Sequence, residues 1–67
     1  MLGDELRRAR HDAGLTQEDL AFKAGVHRTY VSLLERDKKS PTIDVFLRLT
    51  RALGASAAEI IGRVEKG

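Results

Sequence analysis

The chain contains no cysteine among its 67 residues. That absence excludes a disulfide framework and a thiolate metal site, so a domain this small depends on well-formed helices and their packing, with a partner subunit as a further source of stability. A reducing compartment is the natural setting. Histidine is nearly as scarce: His11 and His27 stand 16 positions apart on different segments, which gives a metal site little support, and no cofactor is expected. Long apolar runs are missing too. The opening Met1-Leu2-Gly3-Asp4-Glu5-Leu6-Arg7-Arg8 is acidic and then basic, so neither a secretory signal nor a membrane span is expected, and the expected location is cytoplasmic. No glycine-rich loop or paired-carboxylate constellation stands out, and Ser32 and Ser56 lack a nucleophile signature, so the chain does not read as an enzyme.

What is present fits one domain, residues 1–67, since a chain of about 60 residues buries only roughly 60% of its unfolded surface. The balance of 12 Lys+Arg against 10 Asp+Glu gives only +2, although the pI near 9.4 lies in the range of nucleic-acid-binding domains. The placement of charge therefore matters more than its sum.

Helical periodicity runs through the whole chain. Leu2, Leu6, Ala9 and Ala13 share one helix face, and Gly14 supplies a stop. Thr16 caps a second, two-turn helix that turns Leu20, Ala21 and Ala24 inward and ends at Gly25. A third begins after Val26-His27 and carries Val31 and Leu34 inward, until the polar stretch Arg36-Asp37-Lys38-Lys39-Ser40-Pro41 breaks the pattern. Thr42 caps a fourth, whose Ile43, Phe46, Leu47, Leu49, Thr50 and Leu53 include a wide apolar face ending at Gly54. Ser56-Ala57-Ala58-Glu59 reads as a capping box for a fifth, holding Ile60, Ile61 and Val64. Five short helices without a strand pattern, a repeat or a low-complexity segment predict a compact all-α domain.

The second and third helices carry a sharper pattern. Counted from Gln17 as position one, small or apolar residues fall at four, five, eight, ten, fifteen and eighteen, with Gly25 at nine. Two short helices joined by a tight turn could form an ordinary helical hairpin. A helix-turn-helix, however, needs this set: Ala21 must be small where the helices cross, and Gly25 permits the positive φ of a sharp turn. The motif spans about residues 16–36.

At this point the chain resembles the Xre-type regulators, which include phage repressors, Cro proteins and the controller proteins of restriction-modification systems. The resemblance covers Leu2 to about Ile61. It rests on Leu15-Thr16-Gln17-Glu18-Asp19-Leu20-Ala21 and on His27-Arg28-Thr29-Tyr30-Val31-Ser32-Leu33-Leu34-Glu35-Arg36, the second run being especially similar to controller proteins. It implies a five-helix bundle of the lambda-repressor-like DNA-binding type with a central helix-turn-helix. It also pairs Arg10 with Glu35 in a partly buried salt bridge between the first and third helices, and it places Tyr30 at a phosphate-contacting position, where packing at the domain surface is the other reading. One departure is Asp37, where many relatives have glycine; aspartate tolerates the left-handed conformation, but an acid beside phosphates is unhelpful.

The inward positions of the third helix leave His27, Arg28, Thr29, Ser32, Leu33 and Arg36 on its outer face. With a recognition helix over about residues 28–36 in the major groove, Arg28 in its first turn is placed to read guanine O6 and N7 bidentately, and Leu33 to meet a thymine methyl. His27, Thr29 and Ser32 complete the expected base-facing set. Phosphate contacts are expected from Gln17 at the start of the second helix, from Tyr30 and Arg36, and from Lys38, Lys39 and Ser40 in the following loop. Between His27 and Thr42 four basic residues face two acidic ones, a small local excess that predicts modest non-specific affinity per monomer.

The fifth helix has more apolar side chains than one inward stripe accommodates, so Ala57, Ile60, Ile61 and Val64 are expected at a homodimer interface, together with the end of the fourth helix. The other reading is that Ile61 packs inward and Ile60 is a scattered exposed residue. The expected function is a dimeric regulator on a pseudo-palindromic operator in double-stranded DNA, with no membrane partner and no small-molecule ligand evident. An antitoxin or protein-interaction module on the same helical domain is the alternative; an antitoxin would need an extra segment for its toxin, for which the few residues after Val64 leave no room.

Overall fold

Five helices form along the apolar stripes of the sequence, three of them behind a hydroxyl cap: α1 (Leu2–Asp12), α2 (Gln17–Ala24), α3 (Arg28–Glu35), α4 (Ile43–Leu53) and α5 (Ala57–Lys66). The computed structural model describes residues 1–67. α2 packs between α3 and α4, while α1 lies against α3 and α5. No helix is long and apolar enough to cross a membrane.

The stops and starts follow local chemistry. Thr16 accepts the Asp19 N–H at 3.0 Å while the Asp19 carboxylate accepts the Thr16 N–H at 3.0 Å, a reciprocal cap that satisfies two otherwise unpaired donors. Thr42 caps α4 through the Val45 N–H. Gly25 ends α2 at φ 72°, a left-handed conformation that a side chain resists. The box expected at the start of α5 is half made: Ser56 accepts the Glu59 N–H, but the Glu59 carboxylate faces Arg63 at 3.9 Å, one turn along the helix, instead of returning to the cap.

Leu6, Leu20, Ala21, Ala24, Val31, Leu34, Phe46, Leu49, Leu53 and Ile60 form the core. Burying a Leu or Ile side chain contributes roughly 1.5–3 kcal/mol, so every helix donates at least one anchor. This overturns one expectation for α5. Ile60 is 1% exposed and belongs to the core, whereas Ile61 is 42% exposed. The reason is angular: α5 presents a single stripe to α1 and α4, and neighbouring residues on a helix point about 100° apart. Ile60 is therefore unavailable to a partner. Ala57 packs partly against the core as well.

Two close contacts fix the placement of α3. A Cβ built on Gly3 would lie 2.5 Å from the Glu35 carbonyl oxygen, so α1 and the end of α3 approach as only glycine allows. At the other end of the motif, Arg48 of α4 donates to the Ala24 and Gly25 carbonyls at 3.1 and 3.0 Å, holding the turn between α2 and α3 by its unpaired acceptors.

Candidate nucleic-acid interface

α3 divides cleanly between a buried and an open side. Val31, Leu34 and Glu35 are buried, which leaves His27, Arg28, Thr29 and Arg36 exposed and Ser32 and Leu33 half-buried. The helix is therefore anchored along one stripe while its other face is free for a ligand. His27 is the N-cap in an extended conformation and makes no side-chain cap. Leu33, read from the sequence as an exposed apolar residue, is partly covered. The helix expected over about residues 28–36 ends at Glu35, with Arg36 as the C-cap and its Nε 3.4 Å from the Ser32 carbonyl.

Beneath this face lies a buried polar network. Arg10 Nε and Nη2 donate to Glu35 Oε2 and Oε1 at 2.7 and 3.0 Å, and Arg10 Nη1 donates to the Leu15 carbonyl at 3.0 Å. The hydrogen bonds it donates to Glu35, opposed by desolvation, hold the Arg10 guanidinium above its ordinary pKa. Both ions are buried, and paired, hydrogen-bonded burial is the condition under which such charges are tolerated. Glu35 thus has its charge answered inside the protein.

Gln17 joins the same network: its Nε2 donates to Glu35 Oε1 at 3.1 Å. A residue expected at the phosphates therefore spends one amide donor on the interior and retains a second. Lys38, Lys39 and Ser40 are exposed in the loop after α3. Tyr30 is half-buried and packs against the core, with the Lys39 ammonium 6.0 Å from its ring centre, so packing accounts for much of that side chain. His, Asp and Glu nowhere gather in threes that could hold a metal ion.

Two residues of the interface escaped sequence reasoning. Glu18 Oε2 lies 3.7 Å from Arg28 Nη1, joining the start of α2 to the start of α3. Arg48 braces the turn from α4, more than twenty residues away. Neither pairing leaves a local sequence signal, because each depends on where the helices come together.

The family description "helix-turn-helix domain" matches residues 1–60. An HTH-type transcriptional regulator, y4dJ, of Sinorhizobium fredii is 36% identical over 91% of this chain and 79% of its own length. Control protein C.SmaI of Serratia marcescens is 33% identical over 94% and 75%. Among solved structures, the restriction-modification controller protein C.AhdI of Aeromonas hydrophila superimposes with a TM-score of 0.85 at 37% identity, covering 88% of this chain and 89% of that one.

Proposed function

The chain belongs to the helix-turn-helix domain family of DNA-binding transcriptional regulators, and from that premise we propose that it is a sequence-specific regulator that binds a pseudo-palindromic operator as a homodimer. Residues 28–36 enter the major groove. Arg28 reads a guanine, Leu33 meets a thymine methyl, and His27, Thr29 and Ser32 line the same groove. Gln17, Arg36, Lys38, Lys39 and Ser40 hold the phosphates on either side, with Tyr30 at the margin of this set.

The observation that carries this reading is the division of α3. Its inner stripe is buried to completion at Val31 and Leu34, yet its outer face presents short donors and a cation with no place in the core. A face that merely dissolved the protein would not need the Arg48 brace and the Gly3 approach that fix its orientation.

A two-fold dimer follows from the same economy of contacts. One α3 and a local excess of two cations bind weakly, whereas two such helices set about 34 Å apart add their half-site energies. Selection of bound duplexes from a random pool tests the proposal. The enriched sequences should contain an inverted repeat whose half-sites lie about one helical turn apart, and binding should weaken steeply with salt. A pool that fails to enrich, or a single unrepeated half-site, would overturn it.

A further inference from the structure

We infer that Glu18 is a positioning residue for Arg28, holding the guanidinium so that one edge faces a guanine and penalising its use on phosphates. The inference rests on the proposed DNA reading and adds a specificity determinant to it.

The geometry is particular to this pair. Arg28 occupies the first turn of α3, where the positive end of the helix dipole disfavours a cation. That turn contains no acidic residue, and the His27 cap contributes no side-chain bond. The compensating charge comes from the other helix: Glu18, in the first turn of α2, has its Oε2 3.7 Å from Arg28 Nη1. A carboxylate there is favoured by its own helix, and it stands beside Arg28 at 3.7 Å in the free protein.

Contact through Nη1 leaves the Nε and Nη2 edge of Arg28 without a protein partner. That edge carries two parallel N–H donors, the arrangement that matches O6 and N7 of guanine. Both side chains are well exposed, at 67% and 77%, so the pair adds little to folding. Its effect lies in which acceptor Arg28 takes. Swinging Arg28 to a phosphate breaks the pair and draws the phosphate toward a carboxylate, whereas reading a base keeps Glu18 behind the guanidinium. Side chains ordered before binding also lose less freedom on binding.

The test is a four-member set: wild type, Glu18→Gln, Arg28→Ala and the double variant. Each is titrated with a duplex selected by the wild type from a random pool, with that duplex carrying a substitution at the guanine read by Arg28, and with an unrelated duplex. Circular dichroism should show all four equally helical, since both residues are exposed. The expected result is that Glu18→Gln strengthens unrelated-duplex binding and lowers guanine preference, each by about two- to fivefold, the range of an exposed ion pair. In the Arg28→Ala background the same change should leave base preference untouched. If Glu18→Gln shifts all three duplexes by one factor in both backgrounds, Glu18 acts only as a distant charge and the inference fails. An unchanged guanine preference overturns it equally. Should the wild type show no salt-dependent duplex binding, the DNA reading itself falls and takes the inference with it.

Discussion

The Asp37 carboxylate accepts the Gly3 backbone N–H at 3.0 Å, so a residue just past the end of α3 also caps α1. Asp37 has a φ of 56°, which aspartate tolerates better than most residues. Met1, the N-cap of α1, makes no side-chain cap, and the bond that the Gly3 N–H donates to Asp37 supplies one. An acid that looks misplaced beside phosphates is thus turned toward α1. Asp37→Ala should cost roughly 1–3 kcal/mol through loss of the cap and the strain of a side chain at positive φ. Asp37→Gly should cost less, since it loses only the cap. Thermal melts of the two variants check the order; equal losses would show that the strain at positive φ contributes nothing, and an unchanged melt for Asp37→Gly that the cap contributes nothing.

The buried pair of Arg10 and Glu35 predicts a non-additive loss. Removing one partner leaves an uncompensated buried charge, a cost of about 3–5 kcal/mol. Glu35→Leu also strands the Gln17 amide, which donates to Glu35 Oε1 at 3.1 Å. Arg10→Met with Glu35→Leu should therefore be more stable than either single variant. A double-mutant cycle by chemical denaturation measures this, and additive losses would contradict it.

Much of this fold is legible in the sequence because its signals are local. Thr16, Gly25, Thr42 and Gly54 each act within a few residues of themselves, and the caps and stops follow. Inward stripes such as Leu20, Ala21 and Ala24 are likewise fixed by helical period. What stays hidden depends on how helices meet. Ile60 and Ile61 are indistinguishable as residues, and only the rotation of α5 against α1 and α4 decides which is buried. Periodicity also counted Leu47 with the apolar face of α4, although it is 38% exposed. Arg48, Glu18 and Asp37 act on partners far along the chain, and no spacing rule announces them.

Asp19 predicts an acid-sensitive cap. Hydrogen bonds from the Thr16 backbone and hydroxyl hold its carboxyl below the ordinary value of 3.8. A folded-state pKa below the unfolded one contributes stability that is present above the unfolded value and lost as pH falls through the folded value. Asp19→Asn should be less stable than the wild type near neutrality, and the gap should narrow below about pH 4. Melting curves from about pH 7 down to about pH 2 provide the check; a constant offset throughout would show that the charge is irrelevant.

Base reading and phosphate holding should separate by mutation. Arg28→Ala is expected to cost about 1–3 kcal/mol of specific binding and to relax preference at one base pair per half-site. Lys39→Ala should weaken all duplexes alike and lower the salt slope by about one. Titrations at several salt concentrations, with matched and mismatched duplexes, distinguish the two. Indistinguishable profiles would mean that the roles are wrongly divided.

Dimerisation can be tested without disturbing the core, because the structure separates two neighbouring isoleucines. Ile60 is buried, so Ile60→Asp places a charge in the interior and should unfold the domain. Ile61 is exposed, and so are Ala58 on the same helix and Ile43 and Leu47 on α4. Each leaves a substantial part of its surface open to solvent, 38% at Leu47 and 79% at Ile43. Scattered exposed apolar residues are ordinary on small proteins, so exposure alone does not decide the matter; coupling to DNA binding does. Ile61→Asp should leave helicity and melting temperature nearly unchanged, shift the sedimenting species from dimer to monomer at micromolar concentration, and sharply weaken binding to a duplex with two half-sites. Binding to an isolated half-site should be unaffected, since α3 lies elsewhere in the fold. If Ile61→Asp binds the two-half-site duplex as tightly as the wild type does, α5 has no part in assembly on DNA.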